Sequence, residues 1–84
     1  MSNKKTSIKK IIKNRYGDRY KLNGVFYVKD FSIIELFDNV EKNVWYQIIY
    51  FTGLNVIFKP IMFLSFYEAL DFEVKKNKII EYKK

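Results

Sequence analysis

Residues 44–58 of this 84-residue chain carry no charged side chain and read VWYQIIYFTGLNVIF. Both alternating sets of positions in VWYQIIYF are largely apolar, which is typical of a strand covered on both faces and therefore of a central strand. The Thr52-Gly53 pair indicates a turn, after which LNVIFK returns as a partner strand. Pro60 is predicted to end that strand, preferably near a sheet edge. Fifteen residues are too few to span a membrane as a helix, so the stretch predicts two paired strands.

A short basic helix is predicted for residues 7–16. Apolar side chains recur along it at helical spacing, and Ser7 and Gly17 suit its N-terminal cap and its left-handed C-terminal end. A helix of this length is not stable alone, so its isoleucines must pack on the rest of the chain. Arg15 falls within the apolar stripe and must turn its charge outward, whereas the opposite face holds Lys9, Lys10, Lys13 and Asn14.

The segment DRYKLNGVFYV, residues 18–28, predicts a β-hairpin, because Asn-Gly suits a two-residue type I′ turn and both flanks favour strands. The turn is placed at Asn23 and Gly24. Pairing Leu22 with Val25 across this turn divides the side chains between two faces. One face is predicted to be apolar, with Tyr20, Leu22, Val25 and Tyr27, and the other mixed, with Arg19, Lys21, Phe26 and Val28.

Two capping boxes follow. Ser32 with Glu35 favours a helix over residues 32–41, although the apolar residues between them also fit a strand. Ser65 with Glu68 opens a second helix, and its buried stripe is predicted to consist of Phe66, Ala69, Leu70 and Val74. The lysine-rich tail is predicted to end in a short edge strand over residues 79–82.

The order of these elements predicts an α+β fold, with a small antiparallel sheet of about four strands and short helices packed on it. Residues 1–84 are expected to form a single small domain, since 84 residues with 49% apolar side chains suffice for one core. Residues 1–6 are expected to be a flexible basic start.

Catalytic and metal chemistry have little support. The chain has no Cys and no His, which removes disulfides, the usual zinc sites and the commonest general base. The six carboxylates between residues 30 and 71 show no spacing that predicts an acid–base pair, and the three glycines lie too far apart for a phosphate-binding loop. We therefore expect no enzymatic activity, no metal site and no cofactor.

The net charge of +7 is concentrated at the two ends of the chain. Residues 1–21 carry eight basic and one acidic side chain, residues 22–72 have a net charge of −3, and residues 73–84 have a net charge of +3. Such asymmetry favours encounter with polyanions, although lysine-rich ends can simply keep a protein in solution. Lysines and arginines would contact phosphates, and tyrosines would stack on bases. The candidate residues for binding nucleic acid or a partner are Lys9, Lys10, Lys13, Arg15, Tyr16, Arg19, Tyr20, Lys21 and Tyr27.

Aromatic residues make up 19% of the chain, more than so small a domain easily buries, and exposed aromatic side chains favour protein interfaces. The best anchors are Tyr20, Tyr27 and Tyr46. Lys, Asn, Ile, Phe and Tyr, whose codons are rich in A and T, make up 47 of the 84 residues, as is common in phages and mobile elements. The first functional hypothesis is a small non-enzymatic binding protein, an anti-CRISPR-like inhibitor of a host defence machine. The alternative is a small basic DNA- or RNA-binding protein that uses the N-terminal helix and first hairpin.

The expected partner is a host protein or nucleoprotein complex, with DNA or RNA bound directly in the alternative hypothesis. An exposed edge strand would also permit a homodimer. No membrane partner is expected, and the start MSNKKTS lacks the apolar run of a secretory signal. The expected location is the cytoplasm, that of the host cell if the protein is viral.

Overall fold

The computed structural model describes residues 4–53 and 55–82, and the side chains of residues 8–53 and 55–75. Its elements are α1 (Lys4–Tyr16), β1 (Tyr20–Tyr27), β2 (Ser32–Asp38), β3 (Asn43–Thr52), β4 (Asn55–Phe63) and α2 (Phe66–Tyr82). The four strands form one antiparallel sheet in the order β1-β2-β3-β4, so each strand pairs with its neighbour along the chain. This architecture confirms the predicted α+β fold, in which helices pack on a four-stranded antiparallel sheet.

The two helices cover opposite faces of the sheet, because successive residues of a strand point to opposite sides. Ile8 and Ile12 of α1 are buried in one cluster with Ile34 of β2. Ala69 of α2 is buried in a second cluster with Ile33, the preceding residue of the same strand. We call these two sides the α1 face and the α2 face. Each fully buried isoleucine contributes about 1.5–3 kcal/mol through the hydrophobic effect.

The prediction that VWYQIIYF forms a central strand is confirmed. It lies in β3, which pairs with β2 on one side and β4 on the other. Ile48 and Ile49 are both fully buried, one in each cluster, so this strand is covered on both faces. The turn that follows is also as predicted, since Gly53 has a φ of 60°, a conformation that glycine adopts without steric cost.

The hairpin turn predicted at Asn23 and Gly24 is wrong. Both residues lie inside β1, where the register with β2 shifts between Leu22 and Gly24 and forms a bulge. Gly24 does not have the positive φ that a type I′ turn requires. Residues three positions apart in a regular strand point to opposite faces. The extra residue of the bulge restores the alternation, so Leu22 and Val25 nevertheless lie on the same face, as predicted. The turn lies instead at residues 28–31, where the Val28 N–H donates to the Phe31 carbonyl at 2.8 Å.

The helix favoured over residues 32–41 is also wrong, because residues 32–38 form strand β2. Ser32 is buried and pairs with Ile49 of the next strand instead of capping a helix. Ile33 and Ile34 are both completely buried although they point to opposite faces. A helix would bury one stripe, whereas a strand between two neighbours buries both faces, so the sheet outweighs the local capping signal.

Strand β4 continues through Pro60 to Phe63 instead of ending at the proline. Residues 59–61 bulge where the register with β3 shifts, and Pro60 lies in this bulge on an edge strand, as its lack of an N–H requires. The Gln47 side chain of β3 donates to the Lys59 carbonyl at 2.7 Å and so satisfies an oxygen that the bulge removes from the ladder.

Helix α1 begins at Lys4, three residues before the predicted start at Ser7, and includes the second half of the segment expected to be a flexible start. Residues 1–3 lie outside the described residues. The predicted end is confirmed: Gly17 has a φ of 66° and its N–H donates to the Lys13 carbonyl at 2.8 Å.

Helix α2 begins as predicted, since the Ser65 hydroxyl accepts hydrogen bonds from the Tyr67 and Glu68 N–H groups at 3.1 and 3.4 Å. It continues to Tyr82, so the edge strand predicted over residues 79–82 is wrong. Extending an existing helix fixes one residue for each new hydrogen bond, which is easier than starting a new strand. The predicted burial of Val74 is wrong too: it is 40% exposed, and Glu73 is buried instead.

Candidate functional site

A basic groove lies between α1 and the edge strand β1. It has a volume of about 350 Å³, and buried Ile12 and Leu22 contribute to its lining. Lys9 and Lys13 of α1 line it, and Lys21 of β1 lines it at the sheet edge, because Lys21 points away from the face that holds Tyr20 and Leu22. The remaining lining residues are Gly17, Asp18, Tyr20 and Asn39. The structure therefore brings together lysines of the predicted helix face and a lysine of the predicted hairpin.

One lysine of this basic groove has an acidic neighbour. Lys13 Nζ lies 2.7 Å from Asp18 Oδ1, and this hydrogen bond raises the pKa of Lys13 and lowers the pKa of Asp18. Both side chains are highly exposed, so the pair is screened and holds Lys13 weakly. Within the described part of the chain, no ion pair engages Lys9, Lys10 or Lys21.

Arg19 is not part of the groove, because it binds the Asp38 carboxylate. Its Nε and Nη2 atoms donate to the two oxygens of Asp38 at 3.2 and 3.0 Å, a bidentate pair. Asp38 is completely buried at the end of β2, and the hydrogen bonds from Arg19 hold the pKa of its carboxyl well below the usual range. This predicted binding residue therefore joins the start of β1 to the end of β2.

Arg15 and Tyr16 pack against the sheet at the end of α1. The Arg15 guanidinium lies 4.5 Å from the centre of the Phe58 ring, so the side chain turns outward over an aromatic residue, as expected from its position. The Tyr16 hydroxyl donates to Gln47 Oε1 at 3.1 Å, and Gln47 in turn bonds the Lys59 carbonyl. Tyr16 thus ties α1 to the central strand β3, and through Gln47 to the edge strand β4.

The tyrosines of β1 differ in exposure. Tyr20 is half-buried, which raises its pKa, and Tyr16 meets its ring edge-on at 4.8 Å between ring centres. The Arg19 guanidinium lies 5.2 Å from the same ring. Tyr27 is 58% exposed and stacks against Phe51, but it lies at the opposite end of β1 from the groove. Tyr46, the other predicted anchor, is half-buried against Phe66.

A second surface, which the predicted site residues do not include, lies at the start of α2. Tyr67 is 74% exposed there and Val74 is 40% exposed. We call this surface the α2 patch. It forms a shallow groove of about 440 Å³, lined by Ser65, Tyr67, Glu68, Leu70, Asp71 and Val74. A signal was present in the sequence, because Tyr67 lies one residue after Phe66 and therefore about 100° away from the buried stripe.

The described residues hold no group of three or more acidic side chains that could bind a metal ion. Neither helix, over the residues described, is long and apolar enough to cross a membrane. Two carboxylates are buried among the described side chains: Asp38 accepts from Arg19, and Glu73 Oε2 accepts from the Tyr50 hydroxyl, whereas the buried Glu73 Oε1 has no hydrogen-bond partner there.

Comparison of the chain with protein-family models, with curated proteins and with solved structures finds no match. The basic groove and the α2 patch are therefore the two features of the molecule that indicate a function.

Proposed function

We propose that this protein is a non-enzymatic binding protein that docks on a partner protein through the α2 patch. The observation that carries the proposal is the exposure of Tyr67, a residue that is 74% accessible beside a groove that includes Leu70 and Val74. Leu64, just before the helix, is 63% exposed as well. Large exposed apolar side chains grouped at one place are typical of protein interfaces, and tyrosine is frequent among interface hot spots.

The charge of the α2 patch indicates what kind of partner fits it. Glu68 and Asp71 line the patch, and Lys75, the last residue of the helix whose side chain is described, pairs with Asp71 at 3.1 Å. An acidic rim around an apolar centre is complementary to a partner surface with an apolar centre and basic surroundings. Protein surfaces that bind nucleic acid have such basic surroundings. We therefore propose a host nucleoprotein as the partner, with inhibition of a host defence machine, in the manner of an anti-CRISPR protein, as the outcome.

The test is a pull-down with the tagged chain from a bacterial host lysate, performed with and without nuclease. The proposal predicts a stoichiometric protein partner that survives nuclease and whose activity falls when the purified chain is added. With that partner purified, calorimetry should give a Kd about 30-fold higher or more for Tyr67→Ala, as expected for an interface hot spot.

Tyr27→Ala is the matched control. Tyr27 is also an exposed tyrosine in contact with one phenylalanine, but it lies on β1, away from the α2 patch. The Tyr27→Ala variant should bind the partner with the same Kd as the unmodified protein. An unchanged Kd for Tyr67→Ala, or loss of every captured protein after nuclease treatment, would contradict the proposal.

A further inference from the structure

The α1 side of the molecule carries a dense and unbalanced positive charge. Helix α1 has six basic residues and no acidic residue among its thirteen, so nothing within the helix neutralises them. Its exposed lysines Lys9, Lys10 and Lys13 lie opposite the isoleucines that dock on the sheet. Lys21 of the neighbouring edge strand lines the basic groove together with Lys9 and Lys13, whereas Lys10 lies outside it on the same exposed face of the helix. The ligand that this surface fits is one with a row of negative charges.

The chemistry of the groove favours phosphate contacts over protein contacts. Its apolar residues Ile12 and Leu22 are only 2% and 7% exposed, so they offer little apolar surface to a protein partner. The charged side chains of the lining are three lysines and one aspartate, and lysine binds phosphate as a point charge on a flexible stem. The ion pair between Lys13 and Asp18 is weak because both side chains are exposed, so Lys13 can exchange Asp18 for a phosphate.

The contacts of the tyrosines at the groove favour a double-stranded nucleic acid over a single-stranded one as the ligand. A single strand is bound by stacking its bases on exposed aromatic rings. Tyr20 is the only aromatic residue among those described at the groove, and Tyr16 and Arg19 already lie against its ring. Bases therefore have no platform there, whereas the phosphates of a duplex require none. The exposed half of an α-helix also fits the wide major groove of B-DNA, and the narrow major groove of duplex RNA excludes it.

We propose that the basic groove and the exposed face of α1 bind the phosphate backbone of double-stranded DNA without selecting a base sequence. This inference does not depend on the proposed function, because the α2 patch lies across the sheet from α1.

The probe is a 20-base-pair DNA duplex of random sequence, labelled for fluorescence anisotropy and titrated at several salt concentrations. With the four lysines Lys9, Lys10, Lys13 and Lys21 on phosphates, the logarithm of the association constant should fall with the logarithm of salt concentration with a slope of about −3.6. The double variant Lys9→Gln with Lys13→Gln should reduce this slope by about 1.8, and Lys21→Gln alone by about 0.9.

The charge-matched control is Lys29→Gln with Lys75→Gln, which removes two exposed lysines elsewhere. Lys29 follows the far end of β1, and Lys75 lies on α2. This control should retain the original slope, and circular dichroism should show all variants folded. Equal slopes for the two double variants would overturn the proposal. So would equally tight binding of a single-stranded DNA of the same length or of an RNA duplex.

Discussion

Asp38 shows how much of this fold depends on one side chain. Its carboxylate accepts five hydrogen bonds, from two Arg19 nitrogens, the Trp45 indole N–H and the backbone N–H groups of Val40 and Glu41. These bonds connect the start of β1, the β2–β3 turn and the start of β3. A buried charge requires such partners, because its transfer from water is otherwise costly.

We predict that Asp38→Asn lowers the thermal midpoint far more than Asp18→Asn. The first variant removes a buried charge that pairs with Arg19, whereas the second removes only an exposed partner of Lys13. Thermal unfolding followed by circular dichroism measures both midpoints. The double variant Asp38→Asn with Arg19→Gln should lose less stability than the two single variants lose in sum, because either change alone already breaks the pair. Equal losses for Asp38→Asn and Asp18→Asn would show that the buried network is not important for stability.

The same carboxylate predicts a direction for the pH dependence of stability. Hydrogen bonds from Arg19 lower the pKa of Asp38 in the folded state, so the unfolded chain takes up this proton at a higher pH. The stabilisation should be complete above the ordinary aspartate value of about 4 and should be lost as the pH falls below it. Midpoints measured between neutral and strongly acid pH should therefore fall more steeply for the unmodified protein than for Asp38→Asn.

At the scale of elements, both edge strands carry a bulge. In β1 the bulge lies at Asn23 and Gly24, and in β4 it includes Pro60. Bulges and prolines disrupt the row of hydrogen-bonding groups that an edge strand offers to another chain. The edges of this sheet are therefore poorly suited to pairing between copies, so the homodimer considered from the sequence has little support from edge-strand geometry.

The turn between β2 and β3 contains a residue in a costly conformation. Lys42 has a φ of 58°, the left-handed region that side chains with a Cβ rarely adopt. Lys42→Gly should therefore stabilise the protein by about 0.5–1 kcal/mol, after allowing for the greater freedom of glycine in the unfolded chain. This corresponds to a rise of roughly 2–8 °C in the thermal midpoint of a domain of this size.

Two further variants test whether relief of backbone strain causes the stabilisation expected for Lys42→Gly. Val40→Gly lies in the same turn at a position without positive φ, so it should destabilise the protein. Lys42→Gln removes the charge and keeps the Cβ, so its midpoint should stay close to that of the unmodified protein. A rise for Lys42→Gln equal to that for Lys42→Gly would assign the effect to charge.

Several elements could be predicted from local signals, and others could not. The Ser65 cap of α2 and the Gly17 end of α1 depend on atoms a few residues apart, so the sequence alone indicates them. Asn23-Gly24 carries an equally strong local signal, yet it lies in a strand. The difference is that β1 pairs along its whole length with β2, and those bonds outweigh the preference of two residues for a turn.

At the scale of the whole molecule, the sheet separates two surfaces of different character. The basic groove belongs to the α1 face, and the α2 patch, with Glu68 and Asp71 in its lining, belongs to the opposite side. No residue whose side chain is described lines both surfaces. A ligand on one surface therefore does not compete directly with a ligand on the other.

This arrangement predicts that the two binding activities can be removed separately. The double variant Lys9→Gln with Lys13→Gln should keep its affinity for the protein partner and lose affinity for duplex DNA. Tyr67→Ala should show the converse. The prediction is tested by titrating each variant with duplex DNA and with the purified protein partner. A variant that weakens both activities while remaining folded would contradict it.

The sequence by itself determined the α+β class, the central position of β3, the Ser65 cap and the concentration of charge near the N-terminus. These properties depend on composition and on residues close together in the chain. Only the tertiary structure decided which candidate residues are accessible. Arg19 and Tyr16 are held by Asp38 and Gln47, which lie 19 and 31 positions further along the chain. Lys9, Lys13 and Lys21, by contrast, line one groove. Such partners are brought together by strand pairing and helix docking, and no local pattern specifies them.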